Sequence, residues 1–298
     1  VNSIYSKNAL IIVLVINILW ASNWIVGKQL VDATSPFIAG AMRQTIVFVA
    51  CLPWLKRGDY NIRFLLIYTV FAGSAFFLLA NMGYKYSDNV GALAIGGQLG
   101  VPFVVILGRL FFAETISKRQ LFGMIIAFSG VTILLFDRAI FNESIGLLFI
   151  TASSLAWAIP QLLQRRLIHK DAEIGDVITL VAWSGLAGMA SLWPMAWLFE
   201  PASLTSSAIL SWHSLGLALF SGLGAGVIAN IAMMKLNKDY GASKAVPLTL
   251  PNIAIAVVAS AYVFARPITI EMMVGGAIVF LGLFILATKA DTAVIERG

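Results

Sequence analysis

Gln120-Leu121-Phe122-Gly123-Met124-Ile125-Ile126-Ala127-Phe128-Ser129-Gly130-Val131 and Met272-Met273-Val274-Gly275-Gly276-Ala277-Ile278-Val279-Phe280-Leu281-Gly282-Leu283 read as two versions of one segment. Gly123 recurs as Gly275 and Gly130 as Gly282, each 152 positions later (275 − 123, 282 − 130). Further out, Trp20-Ala21 recurs as Trp157-Ala158, 137 later, and Pro53 recurs as Pro194, 141 later. The offset grows because the second copy has longer connections, notably from Glu200 to Ser211. A repeat of this size is far too long for a solenoid unit. Each copy carries five apolar stretches. Five is odd, so the second copy enters a bilayer from the opposite side. The expected fold class is an all-α integral membrane protein with ten transmembrane helices in two inverted-topology five-helix repeats. Residues 1–140 form the first repeat and 141–298 the second, joined in one membrane domain. Many secondary transporters are built this way, with solute bound near the midplane between the copies.

Composition leads to the same class. Of 298 residues, 60% are hydrophobic and 11% charged, with mean hydropathy +0.91. A soluble domain carries roughly 25% charge. A span needs roughly 20 mostly apolar residues. Ten are expected, at about 8–27, 36–55, 64–83, 90–112, 119–136, 145–166, 174–198, 213–234, 245–264 and 271–288. Little chain is left over for a soluble catalytic domain. The apolar run from Asn8 to Val26 is longer than a signal-peptide core and reads as an uncleaved first span. The single cysteine, Cys51, lies inside the second span and has no partner for an intrachain disulfide.

Orientation follows from Lys and Arg placement. Lys7, Lys56, Arg57, Arg63, Lys118, Arg119, Arg165, Arg166, Lys170, Lys235, Lys238, Lys244, Lys289 and Arg297 fall on one side, fourteen of the twenty basic residues. Lys28, Lys85, Arg138 and Arg266 fall on the other; Arg43 and Arg109 fall within spans. Both termini are therefore expected in the cytoplasm of a multi-pass protein of a bacterial-type inner membrane. The net charge of +6 reflects topology and not nucleic-acid binding. The partners expected are the lipid bilayer and a small-molecule solute. The oligomeric state is left open, and a monomer is compatible with the sequence.

The run Phe111-Phe112-Ala113-Glu114-Thr115-Ile116-Ser117, continuing through Gln120-Leu121-Phe122-Gly123 to Ser129-Gly130-Val131, resembles the EamA-type repeat of the drug/metabolite transporter superfamily. Leu19-Trp20-Ala21-Ser22-Asn23 and Ser35-Pro36 followed by Arg43 are similar to its first two helices. In the second copy, Arg266 stands where the family pattern usually has an acidic residue. The resemblance covers essentially the whole chain. It implies a ten-helix metabolite exporter, similar to bacterial amino-acid exporters, and does not fix the solute.

Polar side chains inside hydrocarbon are costly and face a cavity or another helix. Asn17, Trp20 and Trp24 in span 1 lie at i, i+3 and i+7; Trp157, Gln161 and Gln164 in span 6 lie at i, i+4 and i+7. Each set shares a helical face, and the two helices are repeat equivalents. Indoles offer flat apolar surface and one donor, and amides offer both donor and acceptor, a mix suited to an amphipathic solute. Span 9 holds Pro247, Thr249, Pro251 and Asn252; its counterpart in span 4 is Gly96-Gly97-Gln98-Leu99-Gly100-Val101-Pro102. Prolines four apart free carbonyls, and broken helices mark transporter sites. The candidate solute-binding residues are Asn17, Trp20, Trp24, Asn81, Tyr84, Gln98, Trp157, Gln161, Asn230 and Asn252. For each, helix–helix packing is the competing role. Arg43 either meets a solute carboxylate or has a structural partner.

Signals for an enzyme are missing. His169 and His213 lie near loops on opposite sides, and there is no Cys/His metal cluster or phosphate-binding glycine loop. No catalytic residue, metal or cofactor is expected. Away from helix ends no span contains Asp or Glu, whereas a proton-coupled exporter of lipophilic cations needs a buried carboxylate. The expected activity is secondary transport, exporting small neutral or zwitterionic metabolites such as amino acids through a midplane cavity by alternating access. The alternative is a proton-coupled exporter of cationic drugs or other metabolites.

Overall fold

The computed structural model describes residues 7–56, 58, 60–137, 141–167, 174–240 and 246–287. Among them the regular structure is helical. Eight helices are long and apolar enough to cross a membrane: α1 (Asn8–Ala33), α2 (Pro36–Trp54), α3 (Ile62–Tyr86), α4 (Val90–Phe112), α5 (Lys118–Leu135), α6 (Ser144–Gln164), α7 (Gly175–Phe199) and α8 (Trp212–Leu236). Two shorter apolar helices follow, α9 (Pro251–Val263) and α10 (Ile270–Leu286). Large apolar side chains stand on the outside, among them Phe111, Trp197, Trp212 and Tyr262. Such a surface suits lipid and not water.

Two expectations are adjusted. Helix α1 continues to Ala33, about two turns past the expected end of span 1, where Leu30 and Val31 are buried in the core and Lys28 and Asp32 at i, i+4 form an ion pair of 2.7 Å. The expected ninth span resolves into a 3₁₀ turn, Val246–Thr249, and then α9. At 1.5 Å per residue the 13 residues of α9 rise about 20 Å, less than the roughly 30 Å of hydrocarbon. The prolines explain the break. Pro251 occupies the first helical position, where its missing N–H costs nothing.

Helices at repeat-equivalent positions share their irregularities. Helices α3 and α8 begin and end 150 positions apart (212 − 62, 236 − 86). Both widen into π-helix, over Val70–Ala75 in α3 and Phe220–Ile228 in α8. Helix α4 tightens to 3₁₀ over Gly97–Leu99, and its counterpart α9 is preceded by the 3₁₀ turn. Ala113 and Ala265, 152 positions apart (265 − 113), have φ of +53° and +51°. A left-handed alanine ends α4, and another follows the end of α9.

Contacts between the halves follow the same pairing. Helix α5 packs on α10 and α2 on α7, the two largest helix contacts in the molecule. Helix α1 packs on α8 and α9, as α6 packs on α3 and α4. At the α5–α10 seam the glycines are reciprocal. A methyl at Gly130 would lie 2.6 Å from the Gly275 carbonyl oxygen, and one at Gly275 would lie 2.7 Å from that of Gly130. Gly123 and Gly282 face each other in the same way at 2.9 and 2.6 Å. As the chain rises from 123 to 130 its partner falls from 282 to 275, so α5 and α10 run antiparallel. Only glycine fits this approach of backbone to backbone. The α2–α7 pair is antiparallel too, from Phe37 stacked on Phe199 at 5.5 Å to Thr179 Oγ1 donating to the Trp54 carbonyl at 2.8 Å.

Candidate solute-binding region

The 3₁₀ turn in α4 gathers side chains from both halves. A methyl at Gly97 would sit 2.6 Å from Trp24 Cη2, and one at Gly100 would sit 2.8 Å from Trp157 Cε3. The glycines therefore let two indoles, from repeat-equivalent helices α1 and α6, lie on one broken segment. Trp24 also meets Tyr84 of α3 edge to face, centroids 6.2 Å apart. Gln98, half-buried, lies between the two glycines, its amide 3.4 Å from the Ala94 carbonyl. Gln161 is half-buried one turn beyond Trp157 on α6. Trp24 and Trp157 thus pack on one stretch of α4 that carries Gln98, with Tyr84 behind Trp24.

The four asparagines, Asn17, Asn81, Asn230 and Asn252, meet backbone carbonyls. Trp20 packs with Leu236 and Leu248 against the buried Ile16 of α1. Asn17 Nδ2 donates to the Val13 and Leu248 carbonyls at 2.8 and 2.9 Å, while its buried Oδ1 has no partner. Its repeat equivalent is Ser154, 137 positions on (154 − 17), whose hydroxyl donates to the Gly97 carbonyl at 3.0 Å. At each break a polar side chain from the facing helix thereby donates to a backbone carbonyl. Asn252 donates to the Thr249 carbonyl within the second break. Asn230 donates to Gly226 at 2.8 Å and Ala225 at 3.2 Å, carbonyls within the π-helical stretch of α8. Asn81 ties α3 to the Pro36 carbonyl at 2.8 Å.

A cluster that the sequence left unassembled lies beside this region. Arg43 of α2 is 9% exposed. Its Nη1 donates to Ser221 Oγ of α8 at 2.5 Å and to Asn23 Oδ1 of α1 at 3.3 Å; Ser221 in turn donates to Asn23 Oδ1 at 2.8 Å. The guanidinium lies 4.3 Å from the centroid of the Phe77 ring. A cation in mid-span was visible in the sequence. That Asn23, Phe77 and Ser221 meet it is not, because they come from three helices. Ser221 lies in the π-helical stretch, whose altered register sets where it points.

At the end of the bundle opposite the Lys- and Arg-rich loops, charges are paired. Lys28, with its side chain 5% exposed, contacts Asp32 at 2.7 Å and Asp88 at 2.8 Å. Arg266 reaches Asp88 at 2.8 Å and Glu143 at 3.7 Å. Asp88 therefore links the first half to the second. The hydrogen bond from Lys28, aided by Arg266, holds its carboxyl below the ordinary value of 3.8. At the same end, Glu200 accepts from the Ser35 hydroxyl and from the Phe37 and Ile38 amides, capping the positive end of α2. Gln120 and Ser117, both within the run that carried the family resemblance, cap α5 reciprocally at 2.9 and 3.2 Å.

The comparisons with known proteins agree with this architecture. The model of the EamA-like transporter family matches twice, over residues 7–136 and 144–288. A probable amino-acid metabolite efflux pump of Salmonella typhimurium is 22% identical, over 91% of this chain and 92% of its own length. An Escherichia coli protein of the same description is 19% identical, over 92% and 93%. An uncharacterized transporter of Archaeoglobus fulgidus is 26% identical, over 74% and 75%. One solved crystal structure superposes over 94% of this chain and 96% of its own with a TM-score of 0.63 at 17% identity, a likeness of fold alone. With both matches together spanning nearly all of a helical, apolar chain, this protein belongs to the EamA-like transporter family and is a membrane transporter.

Proposed function

We propose that this transporter is a secondary carrier that exports small neutral or zwitterionic metabolites, amino acids or related amphipathic solutes. It works by alternating access between two inverted five-helix repeats, with ten spans and both termini in the cytoplasm. The observation that carries the reading is the meeting of Trp24 and Trp157, from repeat-equivalent helices, on the broken segment Gly97–Gly100. A solute held there touches both halves, so rocking one half against the other exposes it to each side in turn. Support for the inverted arrangement comes from the antiparallel, reciprocal seams α5–α10 and α2–α7. When two repeat-equivalent helices pack antiparallel, the axis relating them is perpendicular to both and lies in the membrane plane. The efflux-pump descriptions of the two enterobacterial relatives support the direction and the solute class.

The test is flux in proteoliposomes preloaded with single unlabelled amino acids, with and without an imposed pH gradient. Saturable exchange of labelled phenylalanine or leucine without the gradient is expected. Obligatory proton-driven accumulation of a quaternary ammonium dye that no amino acid competes with would sink the reading. Cysteine placed at Ser206 of the α7–α8 connection, in a Cys51→Ser background, tests topology. It should react with impermeant maleimide outside intact cells, and labelling only after lysis would reverse the orientation.

A further inference from the structure

We infer that Arg43, with Asn23 and Ser221, is the subsite that takes the carboxylate of the solute. This deepens the carrier reading and rests on it. The argument begins with a cost. Taking an unpaired charge out of water is among the largest penalties in a folded protein. An arginine cannot escape it by losing its proton, because guanidinium stays charged across the physiological range. Arg43 is buried mid-way along α2, yet among the described residues no carboxylate contacts it. Its neighbours are neutral: the Asn23 amide oxygen, the Ser221 hydroxyl and the face of Phe77. Both hydrogen bonds use Nη1, and Nε is buried without a partner. With Nη1 engaged, the edge formed by Nε and Nη2 is the one left to donate two parallel bonds to a carboxylate. Gly226 stands beside this edge, where a methyl would come within 3.3 Å of Nη2.

The partners look arranged to hold the guanidinium in place and not to neutralise it. Asn23 Oδ1 receives both Nη1 and the Ser221 hydroxyl, which fixes the amide with its oxygen toward the cation. Phe77 covers one face, its ring centroid 4.3 Å away, and adds a cation–π attraction. Neither supplies the missing negative charge. Asn23 is followed by Trp24, which turns toward Tyr84 and Gly97. A carboxylate on Arg43 would therefore place the rest of an amphipathic solute toward the aromatic side chains. Such a solute is a carboxylate with an apolar body, of which an aromatic or branched amino acid is the simplest example.

The experiment uses three solutes that differ at one end: phenylalanine, phenethylamine without the carboxylate, and phenylpropionate without the ammonium. Each competes with labelled phenylalanine exchange by purified wild type, Arg43→Gln and Arg43→Lys in liposomes. Melting of the solute-free proteins is followed alongside. For the wild type, phenylalanine and phenylpropionate should both compete at least about tenfold better than phenethylamine, the scale of one charge-assisted hydrogen-bonded pair. Arg43→Gln should lose that preference, and Arg43→Lys should keep part of it. The solute-free Arg43→Gln protein should melt no lower than wild type, because an uncompensated buried charge has been removed. Two results would overturn the subsite: a wild type indifferent to the carboxylate, or an Arg43→Gln protein that melts lower and loses all three solutes equally. Failure of the carrier reading is distinct, since wild type would then exchange no amino acid at all and the subsite would fall with it.

Discussion

The two halves of the molecule share a scaffold but not a chemistry. Where the first half has Asn23 and Arg43, the equivalent positions of the second, 137 and 141 later, are Pro160 and Ser184. Where α8 has Ser221, α3 has Phe71, 150 earlier. Ser184 returns its hydroxyl to the Val181 carbonyl of its own helix and holds no cation. By contrast, the seams, the helix breaks, the π-helical stretches and the left-handed alanines all occur twice. The duplicated features concern how backbones approach and where carbonyls are satisfied. The singular ones concern charge. A repeat can keep the geometry that lets two halves rock while only one of them holds the solute's charged end.

The largest expected effect breaks the shared part. Gly130→Val and Gly275→Val each drive a side chain into the backbone of the opposite half. Each should cost more than about 3 kcal/mol and abolish a monodisperse, folded protein. The two should fail alike, as judged by size-exclusion profile and thermal melting. Gly216→Ala, with nothing within 4 Å, is the control and should melt like wild type. Unequal failure at Gly130 and Gly275 would break the equivalence of the halves.

Next come the paired indoles. Trp24→Ala and Trp157→Ala should each cut phenylalanine exchange about tenfold or more while leaving melting near wild type. Trp197→Ala, exposed on the outer surface, should change exchange little. Comparable losses at Trp24 and Trp157 would sharpen the view that a solute touches both halves, and a loss at only one would confine the site to that half.

A smaller effect concerns the link between the halves at Asp88. Its carboxyl is held low by Lys28 and Arg266, so the stabilisation is present above the ordinary value of 3.8 and is lost as pH falls through the lowered folded value. Half-exposed groups of this kind contribute at most about 1 kcal/mol. Asp88→Asn should lower melting slightly at neutral pH and flatten its decline in acid. An unchanged acid decline would remove Asp88 from the account. The smallest effect belongs to the alanines at positive φ. Ala113→Gly and Ala265→Gly should each stabilise by up to about 1 kcal/mol, with the same sign in both halves.

Much of the fold was legible from the glycines at 123, 130, 275 and 282, because a close helix seam admits no other residue. The break before α9 was announced by Pro247 and Pro251, whereas the glycines of α4 read in the sequence first as positions of close helix contact. The extension of α1 was not, since hydropathy falls at Lys28, whereas in the fold Leu30 and Val31 are buried in the core and Lys28 pairs with Asp32. Within the candidate site, Trp24, Tyr84, Gln98 and Trp157 converge, whereas the amides of Asn17, Asn81, Asn230 and Asn252 meet carbonyls of breaks and helix ends. Sequence periodicity places a polar residue on a face but cannot say whether a carbonyl or a solute awaits it. Arg43 was visible as a mid-span cation; that no carboxylate of the described residues contacts it could be read only after α1, α2, α3 and α8 were packed together.

The most direct test of a solute held between the halves is a crystal structure of the protein with 4-bromophenylalanine, located by the anomalous signal of bromine. The account predicts one dominant peak in van der Waals contact, about 4 Å, with the ring of Trp24 or Trp157. A peak on the lipid-facing surface or along the α5–α10 seam, with none beside these indoles, would contradict it.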